Sequence, residues 1–269
     1  CGERVVTERS RLAMPECRIG IVPDAGALRF LTKHCEPAVA RYLALTGVPL
    51  NAHDLYKTGL ATRYVPDKED LGLDQLYAEL SSAPAGELAT PLDRRGVDAP
   101  RRLESGLFNE ATLQAVRDAF EGGPTVDAVR ADLETAREAA KKLQGSCGWA
   151  TREAADGVLD VLDAAADGLQ KGCPTALAVT LDAVDRLAAR RGDADPAAAR
   201  YGRRVELAAN ARLGGAPDFA EGVACVVGAR RGERPKWSND ASLVGAIQRA
   251  VDGLRDEASL GDVVAGARG

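Results

Sequence analysis

Glu16 and Asp24 are the acidic side chains whose surroundings best suit them to moving protons. Each directly follows a proline, in Met14-Pro15-Glu16 and Val22-Pro23-Asp24. Cys17-Arg18-Ile19-Gly20-Ile21 lies between them and Gly26 just beyond. Proline fixes φ and removes an amide donor, and it biases the residue before it toward extended backbone. Both carboxylates are therefore expected on stiff turns. A rigidly held pair of carboxylates is what a hydrolase or hydratase uses to take up and return protons.

Other reactive side chains form no comparable group. The two histidines, His34 and His53, have no partner at metal-ligand spacing, so no metal site is expected. The six cysteines, Cys1, Cys17, Cys35, Cys147, Cys173 and Cys225, contain no CxxC pair. In a chain of this length they read as reduced, structural thiols rather than a disulfide framework. With 28% charged residues and a net charge of −5, the chain is acidic and its charges are interleaved, which argues against direct nucleic-acid contact. Aromatic content of 4% leaves few platforms for base stacking. No apolar run reaches transmembrane length.

The elements that must hold the acids come early. Arg4–Thr7 and Arg11–Met14 read as short strands, and Glu16 to Asp24 as a loop. Ala27–Lys33 and Glu36–Leu45 read as helices, the second capped by Gly47. Asn51 reads as the N-cap of a helix over Ala52–Thr58. Leu60–Val65 reads as a strand and Leu73–Leu80 as a helix, with residues 81–101 a surface connection. Beyond it the pattern is helical: Asn109–Phe120, Val126–Leu143, Thr151–Gln170, Thr175–Ala189, Arg200–Leu213 and Ser242–Asp256. Asp218–Val223 opens a short helix, and Pro235-Lys236-Trp237 is extended. The long helices between residues 126 and 191 read as scaffold. The organisation expected is a strand-containing core over residues 1–80 and a helical region over 81–269.

Two stretches resemble the 3-hydroxyisobutyryl-CoA hydrolase branch of the enoyl-CoA hydratase/isomerase (crotonase) superfamily. The first carries Ala13-Met14-Pro15-Glu16, Ile19-Gly20, Pro23-Asp24-Ala25-Gly26, Leu43-Ala44-Leu45-Thr46-Gly47, Gly59-Leu60-Ala61-Thr62 and Tyr64-Val65. The second carries Pro174-Thr175-Ala176-Leu177, Asp218-Phe219, Glu221-Gly222-Val223 and Pro235-Lys236-Trp237. The resemblance implies an α/β (α+β) fold: the C-terminal part of a crotonase spiral of ββα turns, with a predominantly helical C-terminal region. It implies acyl-CoA thioester hydrolysis in valine breakdown, with Glu16 and Asp24 catalytic and Glu16, Asp24 and Gly26 contacting substrate. Glu16 would be base or nucleophile, and Asp24 would orient the substrate or serve a second proton transfer. Coenzyme A would enter only as part of the substrate, with no separate cofactor. A mitochondrial location is implied by the same resemblance.

The chain also departs from the family pattern. The two backbone donors that hold the thioester oxygen belong, in that family, to segments upstream of the position matching Arg4. A complementing N-terminal segment or chain, or a larger assembly, is therefore expected as partner, and this chain alone is expected to be inactive. A partial sheet would leave an edge open to pairing. The family's glycine run after the aspartate is reduced here to Gly26, followed by Ala27-Leu28-Arg29, which would narrow the pocket and bring a charge toward it. The resemblance leaves open a second reading, a non-catalytic subunit recruited into a large mitochondrial assembly such as the mitoribosomal small subunit. A hydratase or isomerase acting on another acyl-CoA is a third, opposed by the Pro-Lys-Trp tail.

Overall fold

A computed structural model describes residues 2–67, 72–87, 89–96, 106–146, 149–190 and 196–254. The chain divides into two compact units, one formed by residues 1–12 and 49–110, the other by residues 13–48 and 111–269.

The first unit holds the described strands. β1 (Val5–Val6) pairs in parallel with β4 (Arg63–Tyr64), and β2 (Arg11–Leu12) pairs antiparallel with β3 (Leu50–Asn51). β1, β2 and β4 are shorter than the three strands expected, because each finds only one two-residue partner, and β3 is not among the strands expected. Side chains take over where the ladder stops. Arg4 donates from its guanidinium to the carbonyls of Leu60 (2.9 Å) and Gly59 (3.0 Å).

α3 (Ala52–Lys57) starts where Asn51 predicts. The Asn51 side chain accepts the Asp54 amide, and the Asp54 carboxylate accepts the Asn51 amide, closing a capping box. Asp54 also accepts the Phe108 amide at 3.0 Å. α4 (Gly72–Ser82) follows. The region 81–101, expected as a connection, instead carries a 3₁₀ turn (Ala85–Glu87) and α5 (Ala89–Arg95), with residues 97–101 outside the described set. The correction has a physical cause: Leu92 is buried against Val65 and Leu76, and that apolar anchor outweighs the Pro- and charge-rich composition.

The second unit is helical. It contains a 3₁₀ turn (Glu16–Ile19), α1 (Ala27–His34) and α2 (Pro37–Thr46). After these come α6 (Glu110–Phe120), α7 (Val126–Ser146), α8 (Trp149–Lys171) and α9 (Pro174–Ala188). α10 (Pro196–Leu213), α11 (Pro217–Val226) and α12 (Ala241–Asp252) complete it. α2 is the centre, buried along most of its length against α8 and α9. Its Tyr42 is fully buried, meets Phe120 edge to face at 5.3 Å, and donates its hydroxyl to the Val161 carbonyl. Arg41 grips Asp185 of α9 with both arms of its guanidinium (2.6 and 2.8 Å). Cys17, Cys35, Cys173 and Cys225 are buried free thiols, while Cys1 and Cys147 lie outside the described residues. No helix among the described residues is long and apolar enough to cross a membrane.

Candidate active site

Both predicted acids belong to the second unit. Glu16 is not on an open loop but opens the 3₁₀ turn, directly after Pro15. That turn is fastened on three sides. The Cys17 thiol lies 3.5 Å from the Ala44 carbonyl of α2 and 3.3 Å from the Thr180 hydroxyl of α9, and the Cys17 carbonyl accepts the Cys173 amide at 2.8 Å. Gly20 ends the turn in the left-handed region, at φ 83°.

Two glycines let α11 and α2 approach the turn closely. A methyl group at Gly222 would stand 2.6 Å from the Ile19 Cα, and one at Gly47 would stand 2.9 Å from the Pro15 Cα. The motif pieces Ile19-Gly20, Thr46-Gly47 and Glu221-Gly222, far apart in sequence, are thus the contact points of one packing arrangement around Glu16.

Glu16 is half-buried, and its Oε2 atom is shielded from solvent with no hydrogen-bond partner among the described residues. Burial pushes its carboxyl above the ordinary value, and the nearby Asp24 charge adds to the push. Asp24 is exposed and sits on a turn whose backbone is unusual: Ala25 has φ 56° and Gly26 φ 90°. There is open space around Gly26, so the demand for glycine there is conformational rather than steric. The structure brings Asp24 into electrostatic range of Glu16, and it places Gly26 at the N-cap of α1.

A third carboxylate, which sequence reasoning passed over, meets the same turn. Glu206 of α10 is buried, and it accepts the Gly26 amide (2.6 Å) with one oxygen and the Leu28 amide (3.0 Å) with the other. Burial pushes its carboxyl up to about 7 against the pull of these amides, with Asp24 adding repulsion. One helical turn further on, Asn210 accepts the Val22 amide and donates to the Val22 carbonyl, both at 3.0 Å. One turn earlier, Gly202 makes room for Arg29, whose Cβ would lie 3.0 Å from a methyl group at position 202. The signal was available in the spacing: Gly202, Glu206 and Asn210 recur every four residues on one face of α10.

These contacts correct one expectation. Leu28 and Arg29 are buried, so Leu28 does not crowd the space above Asp24, and Arg29 packs toward α10. The amides of Gly26 and Leu28 are occupied by Glu206, so they are not donors for a substrate oxygen.

The Asp-Phe-x-Glu-Gly-Val and Pro-Lys-Trp signatures meet one another. Buried Asp218 accepts the Ser238 amide (2.7 Å), the Ser238 hydroxyl (3.0 Å) and the Cys173 thiol (3.3 Å). Glu221 pairs with Arg230, which holds its carboxyl below the usual range, and accepts the Lys236 amide at 2.9 Å. Residues 235–238 are fastened beside the 3₁₀ turn in this way. A cavity of about 500 Å³ opens there, with Arg18, Lys171, Arg234 and Trp237 in its wall; Glu16 and Asp24 are not in its lining.

Comparison with solved structures defines the fold. The chain superposes over 98% of its length on a carnitinyl-CoA dehydratase from Mycobacterium thermoresistibile, covering 61% of that chain with a TM-score of 0.58 at 24% identity. The sequence profile described as Enoyl-CoA hydratase/isomerase matches residues 1–251, and the chain belongs to that family. The fold is thus the expected one, a mostly helical α/β chain with few strands that shares the fold of enoyl-CoA hydratases. Among curated proteins it is 27% identical over 249 residues to 3-hydroxyisobutyryl-CoA hydrolase, mitochondrial, of Danio rerio, covering 93% of this chain and 57% of that protein. It is 26% identical over 235 residues to 3-hydroxyisobutyryl-CoA hydrolase 1 of Arabidopsis thaliana, covering 87% of this chain and 55% of that protein. The chain therefore spans little more than half the length of these relatives.

Proposed function

We propose that this chain carries the carboxylate side of an acyl-CoA thioester hydrolase site, with 3-hydroxyisobutyryl-CoA or a close analogue as substrate. The single observation that supports this most is Glu16. It is a shielded, unpartnered carboxyl oxygen on a turn braced from three elements, with its proton affinity raised and Asp24 nearby. A carboxylate shifted toward neutrality is a better general base than an exposed one.

In the hydrolytic step Glu16 takes a proton from water as the water oxygen bonds to the thioester carbon. The tetrahedral intermediate collapses, the carbon–sulfur bond breaks, and the proton on Glu16 passes to the departing thiolate. Alternatively the Glu16 carboxylate itself attacks the thioester carbon, the carbon–sulfur bond breaks to release the thiolate, and water then opens the anhydride, freeing the acid, restoring the Glu16 carboxylate and yielding the proton that the thiolate takes up. Asp24, exposed at the lip of the turn, orients the substrate hydroxyl or relays the second proton. The oxyanion donors come from polypeptide other than the α1 N-terminus, whose amides are already taken. A complementing segment, chain or assembly supplies them. No cofactor takes part, and coenzyme A arrives with the acyl group. The mitochondrial placement rests on the names of the relatives alone.

The test is free-thiol release from 3-hydroxyisobutyryl-CoA by the full-length protein, run beside hydration of a short 2-enoyl-CoA. The reading expects thiol release to dominate. Hydration without thiol release would replace the hydrolase reading with a hydratase one.

A further inference from the structure

The turn carrying Asp24 is held in a conformation it would not choose alone. Ala25 and Gly26 are consecutive left-handed residues, a region that a residue with a Cβ such as Ala25 enters only at a steric cost. Such strain persists only where the surroundings over-determine it. The Asp24 carboxylate has no hydrogen bond of its own among the described residues; only its backbone carbonyl is engaged, by the Ala27 amide at 2.8 Å. The backbone beneath it therefore sets where the side chain starts and the direction of its Cα–Cβ bond. What sets the backbone lies on another helix, about 180 positions further along the chain.

We infer that Glu206 is the positioning residue of this site. Its carboxylate clamps the Gly26 and Leu28 amides and so aims Asp24, while Asn210 pins the entry of the same turn at Val22. The inference rests on the hydrolase reading for what Asp24 does, but the clamp is a separate physical claim.

The arrangement is specific to a carboxylate of this length. Both oxygens of Glu206 are acceptors, one engaged by the Gly26 amide and the other by the Leu28 amide, and the Arg29 amide adds a third backbone donor. A glutamine would accept from one amide and present its own NH₂ to the other. An alanine would leave both amides buried without an acceptor. The grip continues across α10, because Gly202 and Asn210 flank Glu206 on the same face and meet Arg29 and Val22. The whole segment from Val22 to Arg29 is thus registered against one stripe of one helix. Glu206 does not face the reacting atoms, since both its oxygens are occupied. Its role runs through Asp24.

A purely stabilising cap would make the same bonds, so the test reads two quantities. Amide hydrogen exchange is measured on the full-length chain as wild type, Glu206→Gln, Glu206→Ala and Asn210→Ala. The clamp predicts about tenfold or faster exchange at Gly26 and Leu28 in Glu206→Ala, a smaller rise in Glu206→Gln, and little change in α9. Unchanged exchange at those two amides, or equal acceleration throughout the unit, overturns the clamp. In the same proteins, kcat for thiol release is expected to fall about tenfold or more while KM stays within about twofold, because a misaimed group costs the transition state rather than binding. Faster exchange at Gly26 and Leu28 with an unchanged kcat overturns the positioning role. A full-length wild-type protein that has its complementing polypeptide and still releases no thiol counts against the hydrolase reading, and the clamp is then decided by the exchange measurement.

Discussion

Gly222 of α11 lies so close to Ile19 of the 3₁₀ turn that a methyl group on it would meet the Ile19 Cα at 2.6 Å and its carbonyl carbon at 2.7 Å. Both are backbone atoms, so no side chain can swing aside. Gly222→Ala is expected to cost about 1–3 kcal/mol, the usual range for overpacking a close contact, and to displace Glu16 with the turn. Denaturant unfolding checks the first part and thiol release the second. An unaltered unfolding midpoint would show that α11 does not press on the turn as described.

Stability should fall as Glu206 loses its proton. A carboxyl whose folded value lies above its unfolded one binds its proton more tightly in the native state. Its contribution is present at low pH and is lost as pH rises from 4.5 through about 7. The shift corresponds to about 3 kcal/mol. Glu16, raised for the same reason, adds in the same direction. Relative to Glu206→Gln, the wild type should therefore lose stability by about that amount between pH 4.5 and pH 7.5. Unfolding free energies of the two proteins across that range check it; a constant gap would contradict it.

Asp218 ties the tail to the turn through three donors, and it is almost wholly buried. Asp218→Ala should destabilise by about 1–3 kcal/mol, since it removes the buried acceptor shared by three donors. Asp218→Asn, which keeps one acceptor oxygen, should cost less. Limited proteolysis should then cut within residues 235–240 in the alanine variant first.

Cys17 and Cys173 should be inert in the folded protein. Burial pushes both thiols up to about 12. Thiolate is the reactive form, so alkylation at pH 8 should be slower than in the unfolded chain by about 100-fold or more. Mass spectrometry of partially alkylated protein reads each site. Modification of native Cys17 at the unfolded rate would mean the turn opens freely.

Much of the helical framework was legible because long amphipathic patterns repeat. α7, α8 and α9 fall within a few residues of their expected bounds, and Asn51 marks the start of α3. The strands were overestimated, since β-rich composition says nothing about how many partners a strand will find. α5 was hidden by its composition and revealed by the burial of Leu92.

At the candidate site, Pro15-Glu16 and Pro23-Asp24 announced themselves through local stiffness. Glu206 and Asn210 left only a four-residue spacing with Gly202, and spacing does not say which distant backbone a side chain will grip. They stand within a stretch, Arg200–Leu213, that reads only as one more helix from its periodicity. The fastening roles of Asp218 and Glu221 were likewise invisible in a motif read only as a family signature.

The central claim is that Glu16 performs the chemistry. The most direct measurement compares thiol release from 3-hydroxyisobutyryl-CoA by the full-length wild type and by Glu16→Gln, at matched folding and concentration. Glutamine keeps the shape of the side chain and removes its proton chemistry. A loss of about 100-fold or more in kcat is predicted, the range attributed to a positioned acid or base. Equal rates for the two proteins would contradict the account.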